Sequence, residues 1–174
     1  MTTGQTNRTL EDRIRAIEDR LEIYNLIASH PPSADTGGSA HIAACWVEDG
    51  EFDRGAGLSS PRGRDALASQ VQSPAHQAAI AGGLAHFVGL PYVEIEGDRA
   101  TVISYLQILV PQTQGDPVEV PNHGSSKGFR VHRVGANKWE LVRTPDGWKF
   151  KSRSLRQLDG SEPAREILRH ALRA

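Results

Sequence analysis

The sequence predicts an α+β fold in which N-terminal helices pack on one face of a curved antiparallel sheet. Apolar residues recur at helical spacing near the N-terminus, and from residue 84 onward β-branched and aromatic residues form strand-length runs separated by turns. Helices that precede a meander of strands are typical of this class. We expect a disordered lead over 1–8, one domain over 9–160 and a C-terminal helix over 161–174.

The first predicted helix begins with a capping box, in which Thr9 is paired with Asp12 in place of the usual Glu or Gln. Apolar residues then follow at spacings of three and four, and the last turns become apolar almost all round, so we expect that end to be buried. His30-Pro31-Pro32 should end the helix, because proline cannot extend the hydrogen-bond ladder. A loop over 33–38 would then deliver Asp35. Further short helices are predicted at 39–47, 65–71 and 74–81.

Two long strands over 84–95 and 100–110 form the predicted centre of the sheet, joined by a turn at Glu96-Gly97-Asp98. The second strand is apolar on both faces, which is typical of a central strand covered twice. One cover would be the helices, and the other the inside of the curved sheet, where an apolar cavity could form. His86 starts the first strand. It is a candidate base if its ring points into that cavity, and an ordinary histidine if it points out.

The remaining strands follow a polar excursion over 111–127. Segments 129–134 and 139–143 read as one strand interrupted at Gly135-Ala136-Asn137, and Thr144 to Gly147 is a hairpin turn. The last strand, 148–155, is expected to carry three cations on one side: Lys149, Lys151 and Arg153. Because open curved sheets expose a face, we predict a homo-oligomer, dimer or trimer, with Trp139 and this cationic strand near the contact.

Composition narrows the function classes. The chain has 174 residues, a formal net charge of -1 and a pI near 6.7, which favours a small neutral or weakly charged ligand over nucleic acid or an anionic membrane. The single cysteine, Cys45, excludes an internal disulfide. No run is long enough to span a membrane, so we predict a cytoplasmic protein. Scattered histidines and the lone Gly55-Ala56-Gly57 predict neither a metal site nor a cofactor.

An ordered set of short motifs carries a resemblance: Asp35 eleven residues before Trp46, Glu48-Asp49-Gly50, Gly63-Arg64-Asp65-Ala66-Leu67, His86 at the start of a strand, Glu96-Gly97-Asp98-Arg99-Ala100, Leu141-Val142-Arg143 and Asp146-Gly147-Trp148-Lys149-Phe150. Over residues 9–157 the chain resembles the SnoaL-like branch of the nuclear transport factor 2-like superfamily. The resemblance implies a cone-shaped α+β barrel around an internal cavity. Fold alone does not decide function there, since members include dehydratases, a dehydrochlorinase, isomerases, polyketide cyclases and non-enzymatic proteins.

The resemblance also implies roles for individual residues. In dehydratase and dehydrochlorinase members, the histidine matching His86 acts as base and the aspartate matching Asp35 orients it. Arg143 lies near the place of the dehydrochlorinase's active-site arginine. His30 stands where those enzymes carry a lysine or tyrosine, so either the second polar group has changed, and with it the substrate, or the site is not used in the same way.

Chemistry favours the same pair. Histidine titrates near neutral pH, and a carboxylate on its second ring nitrogen fixes the tautomer, so Asp35 and His86 would make an elimination or isomerisation dyad. The alternative is that His86 caps a strand and Asp35 caps a helix. His30 is either a second acid or base, or a helix-terminal cation. Arg143 is either an oxyanion ligand or a solvated charge.

Three aromatic residues complete the predicted site: Tyr105 and Tyr92 as phenolic donors or core residues, and Trp46 as a cavity or core aromatic. We predict a cofactor-independent lyase of the dehydratase type, or an isomerase, acting on a small apolar, cyclic or polyketide-like compound. The alternative is a non-catalytic ligand-binding or assembly protein of the same fold.

Overall fold

A computed structural model describes residues 9–172, so the predicted lead over 1–8 lies outside the described residues. The helices within this range are α1 (Leu10–Ala28), α2 (His30–Asp35), α3 (Ser39–Cys45), α4 (Arg64–Gln70), α5 (Pro74–Ala81) and α6 (Glu162–His170). The strands are β1 (Trp46–Asp53), β2 (Ala85–Val88), β3 (Tyr92–Glu96), β4 (Arg99–Pro111), β5 (Val118–Val120), β6 (Gly124–Ser126), β7 (Phe129–Thr144) and β8 (Gly147–Gln157).

The sheet confirms the predicted α+β class. Its strand order is β1-β8-β7-β4-β2, and β3 also pairs with β4. All pairs are antiparallel except β1 with β8, which run parallel. The short β5–β6 hairpin forms a sheet of its own in the polar excursion. No helix in the described part of the chain is long and apolar enough to cross a bilayer.

Helix α1 begins with the predicted capping box. The Thr9 hydroxyl oxygen accepts from the Asp12 backbone N–H at 3.1 Å, and the Asp12 carboxylate accepts from the Thr9 N–H at 3.0 Å. The C-terminal turns are buried as expected, with Ile23 and Ile27 at 0% and 1% exposure. The N-terminal apolar residues of the same stripe, such as Leu10 and Ile17, stay exposed.

The segment after α1 differs from the prediction. Residues 30–35, whose second half was expected to be a loop, form helix α2, with Asp35 as its last residue. Pro31 and Pro32 lie in its first turn, where the missing N–H has no helical partner to lose. The same two prolines therefore end α1 and start α2.

Strand β4 is the centre of the sheet. The predicted strand over 84–95 is broken at residues 89–91, because Pro91 has no N–H to continue the ladder. Its two pieces pair with different halves of β4: Val93 lies opposite Val102, and His86 lies opposite Ile108. The predicted turn is present, and Gly97 adopts a φ of 60° there.

Strand β7 is continuous from Phe129 to Thr144, so the predicted interruption at Gly135-Ala136-Asn137 is wrong. Gly135 pairs with Leu106 on one side and Gln157 on the other. A Cβ at Gly135 would lie 2.7 Å from Leu155 Cδ1, so this glycine reflects close packing and not a break.

A change of register lies in β8, opposite the middle of β7. Leu141 is opposite Phe150 while Glu140 is opposite Ser152, which leaves Lys151 as a bulged extra residue. The bulge changes the alternation, so that Phe150 and Arg153 both face the interior. The predicted one-sided cationic strand is therefore wrong for Arg153, which is 2% exposed.

A cluster of aromatic rings fills the core between α1, α3 and the sheet. The ring centroids of Trp139 and Phe150 are 4.7 Å apart, and those of Trp46 and Phe150 are 5.3 Å apart. Trp139 is 0% exposed, so it cannot lie at the surface contact for which it was predicted.

Replacing Phe150 by Ala should lower the free energy of unfolding by about 3–5 kcal/mol, because the ring is 1% exposed and its loss leaves a cavity. Phe87→Ala is the matched control. That ring is 59% exposed, so the change should cost within about 0.5 kcal/mol. Urea unfolding followed by tryptophan fluorescence measures both, and equal losses would contradict the packing described.

Candidate active site

Asp35 and His86 are in direct contact. The Asp35 Oδ1 atom lies 2.6 Å from His86 Nδ1, within hydrogen-bond distance. The His86 backbone N–H also faces the carboxylate, at 3.0 Å from Oδ2 and 3.2 Å from Oδ1. Both side chains are largely buried, with 14% of His86 and 25% of Asp35 exposed.

This contact joins the end of α2 to strand β2, two elements that are far apart in sequence. Because Asp35 accepts from both the ring and the backbone of His86, it sets the orientation of the imidazole. An ionised carboxylate accepts only, so it holds the proton on Nδ1 and leaves the lone pair on Nε2. Nε2 has no hydrogen-bond partner among residues 9–172.

The surroundings lower the pKa of His86 from its ordinary value of 6.5. Burial is the main cause, and Arg153 and His76 add to it, while the hydrogen bond and charge of Asp35 oppose it. His76 stacks at 6.2 Å from the His86 ring, and its Nε2 lies 2.7 Å from the Ala34 carbonyl oxygen. His86 is therefore neutral, and able to accept a proton, at pH 7.

His86 lines a cavity of about 330 Å³ between the helices and the concave face of the sheet. Most of the wall is apolar: Ala34, Ile42, Trp46, Phe52, Leu67, Val71, Ala75, Ala79, Leu84, Leu106, Ile108 and Leu155. The polar lining includes His30, His76, Arg54, Arg133 and Arg153. A small number of polar groups in an apolar wall is typical of a small-molecule site.

Arg153 is the most buried of the polar cavity residues that the sequence analysis did not predict; the others include His76, Arg54 and Arg133. Its Nε donates to the buried Asn137 Oδ1 at 3.0 Å, and its Nη1 donates to His30 Nε2 at 2.6 Å. The guanidinium carbon lies 4.2 Å from the ring centroids of both Phe52 and Trp139. Strict alternation hides this inward position, and only the Lys151 bulge creates it.

His30 lies in the cavity wall as predicted for a site residue, but it is not a helix-terminal cation. Its Nε2 accepts from Arg153, so the ring proton is on Nδ1. Burial lowers the pKa of His30 well below 6.5, with Arg153 as the next cause. The Nδ1–H of this neutral ring has no hydrogen-bond partner in the described chain.

Arg143 lies outside the cavity. Its Nη1 and Nη2 donate to the two Asp19 oxygens at 2.5 and 2.7 Å, and its Nε donates to Asp98 at 2.9 Å. Its guanidinium carbon is 4.5 Å from the Trp148 ring centroid. These contacts tie α1 to the β3–β4 turn and β8, and Arg143 does not line the cavity, whereas Arg153 does.

Only one of the three aromatic residues predicted for the site lines this cavity. Trp46 lines the cavity, while Tyr105 and Tyr92 do not; they are 49% and 40% exposed on other surfaces. Tyr105 lies on β4 between Ser104 and Leu106, both buried, so alternation turns it to the opposite face. Within residues 9–172, no group of three or more His, Cys, Asp or Glu side chains could hold a metal ion.

Comparison with known proteins places the chain. A SnoaL-like domain model matches residues 15–154. The chain belongs to the SnoaL-like family. No curated protein matches it.

Solved structures agree with this SnoaL-like assignment. An NTF2-like protein with a cystatin-like fold from Novosphingobium aromaticivorans is 36% identical, with a TM-score of 0.80 over 95% of this chain and 99% of that one. A protein of unknown function from Mycobacterium tuberculosis is 20% identical, with a TM-score of 0.66 over 96% and 92%. A hexachlorocyclohexane dehydrochlorinase from Novosphingobium barchaimii is 16% identical, with a TM-score of 0.66 over 84% and 90%. The last two show a common fold.

The neutral state of His30 predicts a pH dependence of stability for this SnoaL-like protein. The folded pKa lies well below 6.5 and the unfolded value is about 6.5, so the unfolded chain binds more protons in this window. The stability that His30 contributes is therefore fully present above pH 6.5 and is lost as the pH falls towards the folded pKa.

The variant His30→Gln keeps an acceptor for Arg153 but cannot titrate. Between pH 6.5 and 5.5 the free energy of unfolding of the wild type should fall more steeply than that of H30Q, by up to about 1.4 kcal/mol per pH unit. Urea unfolding at a series of pH values measures both slopes. Parallel curves would mean that His30 is not held neutral.

Proposed function

We propose that this protein is a cofactor-independent lyase or isomerase that removes a proton from carbon in a small, mostly apolar compound. His86 is the base and Asp35 orients it. The observation that supports this most strongly is the 2.6 Å contact between Asp35 Oδ1 and His86 Nδ1, because it leaves the basic Nε2 without a protein partner on a residue that lines a largely apolar cavity.

The reaction begins when a substrate carbon with an acidic hydrogen lies next to His86 Nε2. Nε2 takes the proton, and the electron pair of the broken C–H bond moves towards a neighbouring carbonyl or leaving group. In an elimination the pair forms a C=C bond while the leaving group departs with its own bonding electrons. In an isomerisation the protonated His86 returns the proton to a different carbon of the same substrate.

Asp35 contributes through His86 and does not contact the substrate. It fixes the ring orientation through the hydrogen bond from Nδ1, while the His86 backbone N–H donates to the same carboxylate, and its negative charge stabilises the imidazolium that forms during the transfer. Because burial lowers the pKa of His86 and Asp35 partly restores it, the base stays neutral at pH 7 and still accepts a proton.

Two donors in the same wall are placed to stabilise negative charge on the substrate. His30 offers Nδ1–H, and Arg153 offers N–H groups beyond its bonds to Asn137 and His30. Donors held in place before the reaction, in a site with little water, stabilise developing charge more than water does. His30 is not the proton acceptor, since its Nε2 lone pair is already used by Arg153.

The hexachlorocyclohexane dehydrochlorinase has the same fold, and its name describes an elimination. At 16% identity this likeness supports the architecture alone, so the function rests on the residues of this chain.

Replacing His86 by Ala should reduce turnover by about 10²–10⁴-fold, because it removes the base. Candidate compounds with a C–H beside a carbonyl or leaving group are incubated in D₂O and followed by proton NMR for loss of substrate or incorporation of deuterium. His132→Ala is the matched control, since His132 is exposed and does not line the cavity.

The same assay on H86A and on the wild-type protein distinguishes catalysis from simple binding. Undiminished activity in H86A would remove His86 from the mechanism. If wild-type protein binds compounds from the panel and neither transforms them nor exchanges their hydrogens, the protein is a ligand-binding member of the fold and the catalytic proposal is overturned.

The pH profile gives an independent test. Because His86 must be neutral and its pKa is lowered below 6.5, kcat/KM should be level above pH 6.5 and fall only at lower pH. Asp35→Asn should shift this fall to still lower pH and reduce the plateau, since the carboxylate raises the pKa of His86. An unchanged midpoint in D35N would show that Asp35 does not act through His86.

A further inference from the structure

Three arginines share the cavity wall with no carboxylate among them. The residues that line it include Arg54, Arg133 and Arg153 and neither Asp nor Glu. The neighbouring acids already have partners: Asp35 binds His86, and Asp53 binds Arg156. Within the described chain, the guanidinium groups of Arg54 and Arg133 have no hydrogen bond to protein and no ion pair.

Arg153 is the deepest of the three, at 2% exposure. Its Nη2 has no hydrogen-bond partner among residues 9–172, although no side-chain N or O atom there is both fully buried and unpaired. Nη2 is therefore accessible from the cavity. The contacts with Phe52 and Trp139 offset only part of the cost of burying the charge, since aromatic faces do not neutralise it.

The positive charges of the three arginines in the cavity wall affect one another. Burial lowers the pKa of Arg153, and the charges of Arg54 and Arg133 lower it further. Burial and then Arg133 lower the pKa of Arg54. Arginine stays protonated in proteins, so these groups repel one another. An anion among them would remove the repulsion and form charge-assisted hydrogen bonds.

Strand register relates the arginines to the base. His86, Ile108 and Arg133 are partners across the adjacent strands β2, β4 and β7, so their side chains share the concave face. Two strand spacings separate the Cα atoms of His86 and Arg133 by about 10 Å. This span fits one ring or a short chain between the base and the arginines.

We propose that the cavity binds a small organic acid whose carboxylate is held by Arg153 with Arg54 and Arg133, while its apolar body lies against the aliphatic wall. This inference deepens the proposed function by naming a substrate class. The conversion of the acid at His86 rests on the proposed function, whereas the binding of the acid by the arginines does not. The carboxylate class fits because the arginine fork binds two carboxylate oxygens at once, and the rest of the wall has few polar groups.

The test compares acids with their uncharged amides by isothermal titration calorimetry. The panel is benzoate, cyclohexanecarboxylate, 3-phenylpropionate and cinnamate, each beside its amide. At least one acid should bind at least tenfold more tightly than its amide, and added salt should weaken it. Equal binding of every acid and amide, or no binding by any acid, overturns the proposal. So does sulfate that binds as tightly as the best acid, because the apolar wall would then contribute nothing.

Variants assign the site. Arg54→Gln and Arg133→Gln should each weaken binding of the best acid, and Arg153→Met should abolish the preference over the amide. Arg156→Gln is the matched control, because Arg156 pairs with Asp53 and does not line the cavity. If R153M fails to fold, R54Q and R133Q still test the proposal. Unchanged affinity for the acid in both of these variants overturns it.

The same experiment separates this inference from the catalytic one. H86A keeps all three arginines, so it should retain the preference for acids even where turnover is lost. The arginine variants could lose that preference while the wild-type protein transforms no compound. This result would support acid binding and overturn only the catalytic proposal. Turnover of uncharged compounds by a protein that shows no preference for acids would support the catalytic proposal and overturn the acid-binding one.

Discussion

The hydrogen bonds between Asp35 and His86 are the constraint on which the candidate site depends. They join the end of α2 to β2, at the place where the helical layer meets the sheet. The prolines lie in the first turn of α2, and the pairing of β2 with the far half of β4 sets the position of the histidine. Asp35 therefore both joins α2 to β2 and orients the imidazole, since its carboxylate accepts from the backbone and from the ring of His86.

Charge is distributed unevenly around that pair. The cavity wall carries three arginines and three histidines and no free acid, although the whole chain has a formal net charge of -1. Arg143 is instead neutralised by Asp19 and Asp98. The overall charge of the chain therefore says little about the cavity: the composition favoured a neutral or weakly charged ligand, whereas the charged side chains of the cavity wall are all arginines.

The neutral histidines follow from the same distribution. His30 is buried beside Arg153 and accepts a hydrogen bond from it, and His86 is buried with Asp35 on its far side. Both pKa values are lowered, mainly by burial, but only His86 has a carboxylate that opposes the shift. Two histidines in one cavity thus differ in chemistry: one is suited to accept a proton, and the other to donate a hydrogen bond.

The sequence by itself determined the fold class, the capped first helix and the turn of the central hairpin, because periodicity and turn residues are local signals, whereas the pairing of Asp35 with His86 was implied only by the family resemblance that the ordered motifs carry. Only the tertiary structure decided the faces of Arg143 and Arg153. A single bulged residue, Lys151, reverses the alternation of β8 and turns Arg153 inward, while Asp19 on a distant helix holds Arg143 outside. Bulges and long-range ion pairs depend on neighbouring strands and helices, so strict alternation along one strand cannot reveal them.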